Sequence, residues 1–165
     1  MNIQKEFEVI RDIPYSIPLS ASEENNSCSG KVIKLKKVLD SAGYESRYRV
    51  CEFRWSDLSI DKEVLSVLHE DLSTHVYLEV RFGDTWIDVD PTWDFGLSKT
   101  FLVNEWQTDG NMVIAVKQLK LYSHEQSKEI MENEDVEENK RDLEKNGKFY
   151  GALNRWFEEV RKGKK

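Results

Sequence analysis

NNSCSGK, residues 25–31, is the stretch of sequence on which the predicted fold depends. Short polar side chains at 25–27 are typical of a helix N-terminus, because their oxygens accept hydrogen bonds from unpaired backbone amides. An apolar stripe then recurs at steps of four, three, four and three, at Cys28, Val32, Leu35, Leu39 and Ala42. This spacing predicts a helix with one buried face that begins at Cys28, and Gly43 is placed to end it. The lysines at positions 31, 34, 36 and 37 are expected on the other faces of this helix.

Residues 74–92, THVYLEVRFGDTWIDVDPT, predict a β-hairpin. Two alternating runs flank Gly83-Asp84, a pair suited to a two-residue type II′ turn, and this turn pairs Phe82 with Thr85. One face then holds Val76, Leu78, Val80, Phe82, Ile87, Val89 and Pro91, and the other holds His75, Tyr77, Glu79, Arg81, Trp86, Asp88, Asp90 and Thr92. Asp90 becomes a diagonal neighbour of His75 on the same face, within reach of longer side chains. The hairpin therefore predicts a His–Asp pair.

Three further segments can be predicted before the hairpin. Two prolines bracket Tyr15-Ser16-Ile17, which favours an extended segment ahead of the helix. Residues 47–55, RYRVCEFRW, are rich in β-branched and aromatic residues and predict a strand. Residues 57–71 are polar apart from an apolar patch at 64–68, which predicts a loop with one or two helical turns.

Beyond the hairpin the pattern changes towards helix. Residues 112–121, MVIAVKQLKL, are almost continuously apolar and predict a strand with both faces partly covered, whereas 125–140 are acidic and helical in composition. Residues 148–161 carry apolar side chains at helical steps, at Phe149, Leu153, Trp156, Phe157 and Val160. They predict a helix docked on the core, with a partner-binding helix as the alternative. We expect a core at 1–123 and a C-terminal helical extension at 124–165 packed on it, together forming one compact domain.

The composition limits the classes of function. The chain has 165 residues and a formal net charge of −7, which argues against non-specific nucleic-acid binding because such binding depends on a basic surface. Two cysteines are too few for a disulfide scaffold and favour a reducing compartment. No run approaches the ~20 apolar residues of a membrane span, and residues 1–6 lack the apolar region of a signal peptide. A cytoplasmic protein that binds neither nucleic acid nor membrane is expected.

Cys28, His75 and Asp90 are the residues on which a catalytic function would depend. The first turn of a helix and a nearby imidazolium both favour the thiolate, the reactive form of a cysteine. His75 would exchange protons with the substrate, and Asp90 would orient and stabilise the imidazolium. Taken singly, Cys28 has an alternative role as a small buried hydrophobe, His75 as a structural histidine and Asp90 as a turn residue.

The other cysteine and histidines are assigned structural or surface roles. Cys51 is expected to pack within its strand, and His69 and His124 lie in polar connecting sequence, which favours surface positions. The three histidines and two cysteines do not follow a zinc spacing, so neither a metal site nor a cofactor is predicted.

Four blocks of the sequence together resemble the transglutaminase-like superfamily. They are Cys28, then Gly43-Tyr44 with Arg47, then 74–80 (THVYLEV), then 86–93 (WIDVDPTW). Proteins of that superfamily have a Cys that opens a helix, a Gly and an Arg after it, a His on a strand and a Trp-x-x-x-Asp-x-Thr on the next strand. The resemblance spans residues 15–94, about half of the chain, and the last block is its most specific part.

The resemblance implies an α+β fold, with a papain-like core in which the catalytic helix packs on an antiparallel sheet and C-terminal helices are added. It also implies a Cys28–His75–Asp90 triad. Many members have Gly where this chain has Ser27, and the candidates to complete the oxyanion hole or bind substrate are Tyr15, Asn26 and Trp93. The sequence shows no carboxylate cluster like the calcium sites of animal transglutaminases.

The expected function is cysteine-dependent acyl transfer on an amide or peptide bond, by hydrolysis or by transamidation. The substrate implied by the resemblance is a peptide or protein amide. Cross-linking enzymes, peptidases, peptide amidases and inactive binding modules all share the core, so a non-catalytic protein-binding module that retains the fold is the alternative. Neither the acceptor, water or an amine, nor the oligomeric state follows from the residues.

Overall fold

Residues 1–164, which the computed structural model describes, form an α+β protein with five α-helices and one three-stranded antiparallel sheet. The elements are α1 (Ile3–Arg11), α2 (Cys28–Ser41), β1 (Ser46–Arg54), α3 (Lys62–Leu65), β2 (Leu72–Phe82), β3 (Thr85–Val89), α4 (His124–Glu132) and α5 (Val136–Arg161). In this part of the chain no helix combines the length and the apolar composition that crossing a membrane requires.

α2 begins and ends where the apolar stripe predicts. Ser27 is its N-cap residue, and Gly43 follows its C-cap with a φ of +83°. The N–H of Tyr44 donates to the carbonyl of Leu39 at 3.0 Å, and the N–H of Gly43 donates to that of Asp40 at 3.1 Å. These are the two hydrogen bonds of a Schellman motif, and its left-handed backbone is the reason why glycine suits position 43.

The predicted register of the hairpin is confirmed. Phe82 faces Thr85, and the pairing continues without a slip to the end of β3. Gly83 has a φ of +62° and Asp84 has a negative φ, as expected for a type II′ turn, whereas a type I′ turn requires a positive φ at both positions. β2 is the central strand, and its other edge pairs with β1.

Two apolar clusters cover the opposite faces of the sheet. On one face α1 and α2 pack on the hairpin through Phe7, Ile10, Val32, Leu35, Leu39, Val76, Leu78, Val80 and Val89. The other cluster contains β1, α5 and loop residues, among them Phe53, Trp55, Trp93, Phe149, Leu153, Trp156, Phe157 and Val160. All five predicted stripe residues of α5 are buried, so this helix is docked on the core. Because successive strand residues point to opposite faces, His75 belongs to the aromatic side and Val76 to the α2 side.

The segment 112–121 is not the predicted strand. The N–H of Met112 donates to the carbonyl of Asp88 in β3, whereas the N–H of Tyr122 donates to that of Val50 in β1, both at 2.9 Å. The segment therefore crosses from one edge of the sheet to the other. Its last residues pair with β1 only as an isolated bridge, in which the N–H of Leu119 donates to the carbonyl of Glu52 and the N–H of Glu52 donates to that of Lys120. Of its apolar residues Met112 and Val116 are buried, whereas Val113, Leu119 and Leu121 are exposed. A continuous apolar run therefore does not by itself identify a strand.

The N-terminal segment contains a helix, α1, that the sequence interpretation does not include. The side chain of Asn2 caps this helix by accepting from the N–H of Lys5 at 3.2 Å. Phe7 and Ile10 are buried against α2. The signal was present as an N-cap residue followed by apolar residues at helical spacing, beginning at Ile3.

The prediction that Lys31 lies on an exposed face of α2 is wrong. Its side chain is fully buried, because α1 and the segment after β3 cover this turn of the helix. The ammonium donates to the carbonyl of Arg11 at 2.7 Å and to that of Thr92 at 2.8 Å. Burial lowers the pKa of Lys31 to about 7, although the carboxylate of Asp94 acts in the opposite direction. One buried amine thus joins α1, α2 and the loop that follows Asp90.

Candidate active site

His75 and Asp90 form a buried ion pair. Nε2 of His75 lies 2.8 Å from Oδ2 of Asp90, and the two residues are 3% and 1% exposed. Burial alone would lower the pKa of His75, but the Asp90 carboxylate, with a smaller effect of Cys28, outweighs burial and raises that pKa to about 10. Burial alone would likewise raise the pKa of Asp90, but the imidazolium and the other hydrogen-bond donors lower it. Both groups are therefore charged at neutral pH.

Residues outside the hairpin strands complete the surroundings of Asp90. Oδ1 accepts from the N–H and the hydroxyl of Thr92, and Oδ2 accepts from the N–H of Ala115 at 2.9 Å as well as from His75. The side chain of Asn104 donates to the backbone carbonyl of Asp90 at 2.9 Å. A carboxylate with several donors stays ionised even when it is buried. Ala115 and Asn104 could not be identified from the sequence, because no local pattern links them to Asp90.

Cys28 lies at the start of α2, half-buried, and lines the same cavity as His75. Its thiol is close enough to the imidazole to act on the pKa of His75 through a hydrogen bond and through charge. Because Asp90 occupies Nε2 of His75, Nδ1 is the nitrogen that remains for proton exchange with the sulfur or with a substrate. The volume of the cavity is about 290 Å³.

The residues before Cys28 organise the loop instead of capping the helix. The hydroxyl of Ser27 donates to Oδ1 of Asn25 at 2.6 Å, and the N–H of Ser27 donates to the same oxygen at 2.9 Å. Ser27 therefore accepts no side-chain capping bond from the first turn of α2, and the predicted capping role of 25–27 is wrong. The N–H of Cys28 lies instead beside the hydroxyl of Tyr15.

Tyr15 is the predicted oxyanion candidate that the structure places next to Cys28. Burial raises its pKa well above the usual 10, and the nearby thiol of Cys28 adds to this effect, so the hydroxyl keeps its proton. The backbone of Tyr15 is held on both sides. Its N–H donates to Asp94 at 2.9 Å, and its carbonyl accepts from Arg161 at 2.9 Å. Asp94 and Arg161 form an ion pair at 2.8 Å, which joins the end of α5 to the site.

Asn26 and Trp93 are placed less favourably for contact with a reacting carbonyl. Asn26 lines a different depression, and its Oδ1 accepts from Lys34 at 3.3 Å. Trp93 lines the cavity, but its indole N–H donates to the carbonyl of Ala115 at 3.3 Å and its ring stacks on Phe101 at 4.2 Å. Trp93 is therefore part of the cavity wall, and Asn26 is not brought into the site.

Cys28 and His75 thus line one cavity, between the start of α2 and the sheet, and Asp90 is buried behind His75. No protein-family model, curated protein or solved structure matches this chain. Among residues 1–164 no three His, Cys, Asp or Glu side chains are grouped in a way that could hold a metal ion. What the site can do follows from the chemistry of its own residues.

The remaining cysteine and histidines lie apart from Cys28, His75 and Asp90. Cys51 is fully buried opposite His75 in β1, and burial raises its pKa to about 12, in agreement with a packing role. His69 is not the surface residue that was predicted. Its ring stacks on Phe149 at 3.8 Å and its side chain is 9% exposed, because α5 covers the polar connector. His124 is partly exposed at the start of α4.

Replacing Gly30 by alanine should destabilise the protein by roughly 1–3 kcal/mol. A Cβ atom at this position would lie 1.8 Å from the carbonyl oxygen of Asn25 and 2.5 Å from its carbonyl carbon, so the loop before Cys28 would have to move. We expect this cost to exceed the roughly 1 kcal/mol by which alanine is favoured over glycine inside a helix. Urea denaturation measures the free energy of unfolding, and the alkylation rate of Cys28 reports on the displaced loop.

Gly147→Ala is the matched control for this substitution. Gly147 lies inside α5, and nothing lies within 4 Å of a Cβ atom built there. Alanine at this position should stabilise the protein by about 0.5–1 kcal/mol. A Gly30→Ala variant as stable as Gly147→Ala would contradict the close contact between the loop and α2.

Proposed function

We propose that this protein is a cysteine-dependent acyl-transfer enzyme that acts on amide or peptide bonds and has a transglutaminase-like, papain-like core. The observation that carries the proposal is the position of Cys28, at the start of a helix, in one cavity with the buried His75–Asp90 ion pair. Burying an ion pair costs desolvation and often adds no net stability. A buried ion pair next to a thiol in a cavity is therefore better explained by reactivity than by packing.

The arrangement supports a two-step reaction through a thioester. The thiolate of Cys28 attacks the carbonyl carbon of the substrate, and the C–N bond breaks as Nδ1 of His75 gives its proton to the departing amine. Water or a second amine then attacks the thioester and gives a proton to His75. The C–S bond breaks, the acyl product leaves, and Cys28 is again a thiolate beside the His75 imidazolium. Asp90 keeps the imidazole oriented and stabilises its charged form in both steps.

Two donors are available for the oxyanion that forms in each step. One is the backbone N–H of Cys28, at the positive end of the α2 dipole. The other is the hydroxyl of Tyr15, which lies beside that N–H and keeps its proton. A negative charge that develops between these two groups would be stabilised by both. We therefore assign Tyr15 to the oxyanion hole and Trp93 to the wall of the cavity.

The packing of α2 on an antiparallel sheet supports the papain-like assignment of the core. α2 packs on β2 through Val32, Leu35 and Leu39, and its first residue lines the same cavity as His75 on β2. A nucleophile at a helix start and a histidine on an adjacent strand are the arrangement that the sequence resemblance implies. Hydrolysis is the simpler outcome, because transamidation requires a site that favours an amine over water.

Trapping of the acyl-enzyme tests this function. The protein is mixed with a panel of end-blocked peptide p-nitrophenyl esters and quenched in acid, and the mass of each cysteine-containing peptide is measured. We expect an acyl adduct on Cys28 that disappears in Cys28→Ala. Tyr15→Phe, which keeps the ring, should slow formation of the adduct by roughly 10²-fold, the effect of losing one oxyanion donor.

The fate of the adduct distinguishes the possible acceptors. Loss of the acyl group in buffer alone indicates hydrolysis, and faster loss with lysine methyl ester, with the amide as product, indicates transamidation. Acylation at the same rate in Cys28→Ala, or no adduct on Cys28 with any ester, would contradict the proposal.

A further inference from the structure

The cavity at Cys28 continues into a second cavity along the surface. The first, which we call the inner compartment, surrounds Cys28 and His75 and has a volume of about 290 Å³. The second, the outer compartment, lies between the loop before α2 and the first half of α5 and has a volume of about 470 Å³. Ile17, Ser27, Asn139 and Tyr150 line both compartments. A ligand that reaches Cys28 can therefore extend into the outer compartment without leaving the cleft.

The inner compartment has apolar and aromatic walls. Its lining includes the rings of Tyr15, Phe53, Trp55, Trp93 and Tyr150. Apart from the reacting groups, its described lining residues carry no formal charge, and their polar members are serine, threonine and asparagine side chains. Apart from the reacting groups, these walls offer a charged group no counter-ion, so moving one into the compartment costs free energy. An apolar side chain gains free energy from the same transfer.

The outer compartment differs from the inner one in the charge of its lining. Its lining carries the carboxylates of Glu23, Glu134 and Asp142 against a single lysine, Lys140, which gives a formal charge of −2. Asp142 lies at the boundary with the inner compartment, where the hydroxyl of Tyr150 donates to it at 3.0 Å. The negative potential therefore begins next to the apolar walls. A cationic group held beside an apolar side chain matches both compartments at once.

Resting on the proposed acyl transfer, we propose that the substrate is a peptide with an apolar or aromatic side chain in the inner compartment and basic residues in the outer compartment. The ring fills the space between Phe53, Trp55 and Tyr150. Lysine or arginine side chains beside it meet Glu134 and Glu23. Acidic peptides are rejected twice, by the apolar walls and by the carboxylates.

Peptide binding to the Cys28→Ala variant tests this assignment without any chemistry. Four end-blocked, fluorescein-labelled peptides carry Phe or Gln at the centre and two Lys or two Glu on each side, and fluorescence anisotropy gives their Kd values. The Phe–Lys peptide should bind most tightly. Exchange of Phe for Gln should weaken its binding about tenfold. Exchange of Lys for Glu should also weaken it about tenfold, and less at high salt.

A charge reversal in the protein locates the basic part of the peptide. Glu134→Lys should weaken binding of the Phe–Lys peptide about three- to tenfold and should strengthen binding of the Phe–Glu peptide. Asp109→Lys is the matched control, with the same change in charge in a depression near the hairpin turn that shares no residue with either compartment. It should change both Kd values by less than about twofold.

The possible results separate substrate class from catalysis. Equal Kd values for the Phe and Gln peptides would overturn the apolar assignment, and equal effects of Glu134→Lys and Asp109→Lys would overturn the role of the outer compartment. The expected order of Kd values together with no acyl adduct in the wild type would contradict acyl transfer and leave the binding assignment standing. An acyl adduct that forms equally well from p-nitrophenyl esters of all four sequences would support acyl transfer and contradict the binding assignment.

Discussion

Replacing His75 by glutamine should lower the alkylation rate of Cys28 by about tenfold or more at pH 6, and the difference should shrink towards pH 9. The pKa of His75 is about 10, so the imidazolium is charged over this whole range and its positive charge stabilises negative charge that develops next to it. An ordinary thiol has a pKa of roughly 8.5 and becomes reactive only as the pH rises. Glutamine can still donate a hydrogen bond to Asp90. The substitution therefore removes the positive charge but keeps a hydrogen-bond partner for the carboxylate.

The measurement uses iodoacetamide, timed quenching and mass spectrometry of the two cysteine-containing peptides. Cys51 serves as an internal reference, because it is fully buried and its raised pKa keeps it protonated. His124→Gln is the control for loss of a histidine, since His124 lines a different depression. Parallel pH–rate curves for the wild type and His75→Gln would mean that His75 does not activate Cys28.

Local sequence patterns were sufficient to predict the helix and the hairpin that carry Cys28, His75 and Asp90. The helix that starts at Cys28 follows from an apolar stripe and a glycine stop, and the hairpin register follows from Gly83 and strict alternation. Both signals are contained in fewer than 20 neighbouring residues. The contact between His75 and Asp90 could be predicted for the same reason, because the register alone puts both side chains on one face.

Contacts between segments that are distant in the sequence could not be predicted from these local patterns. The sequence predicted a strand at 112–121, but the segment crosses the sheet and supplies the N–H of Ala115 to Asp90. Lys31 lies off the apolar stripe and was expected in solvent, yet α1 covers it. The proximity of Cys28 to His75 also depends on how α2 packs on the sheet, and only the resemblance to a family anticipated it. Periodicity reports which face is buried, whereas the partner of that face is set by the whole chain.

Replacing Asp90 by alanine should destabilise the protein by roughly 3–5 kcal/mol near pH 5.5. The substitution removes the carboxylate that offsets the burial of His75. It also leaves the N–H groups of Ala115 and Thr92 and the hydroxyl of Thr92 without their acceptor. Urea denaturation at several pH values measures the effect. The quantity of interest is the difference in free energy of unfolding between the wild type and Asp90→Ala.

The sign of the pH dependence follows from the two pKa shifts. A histidine with a raised pKa contributes stability that is fully present below its unfolded value of 6.5 and is lost as the pH rises through about 10. A carboxylate with a lowered pKa contributes stability that is present above its unfolded value of 3.8 and is lost as the pH falls through the folded pKa. The difference between wild type and variant should therefore be largest between pH 3.8 and 6.5 and should decrease steadily up to about pH 10.

The pH dependence of the wild-type free energy of unfolding would not show this trend by itself, because the titration of Lys31 changes stability in the opposite direction. A buried lysine with a pKa of about 7 costs stability in full below that pH, and the cost disappears as the pH rises towards 10.5. Lys31 is present in both proteins, so subtracting one curve from the other largely removes its effect. Asp88→Ala, on the same strand face and half-buried, is the control. Burial raises the pKa of Asp88, so the effect of this substitution should vary in the acidic range and stay constant from pH 6 to 10. A difference curve for Asp90→Ala that stays flat from pH 6 to 10 would show that His75 is not charged in the folded protein.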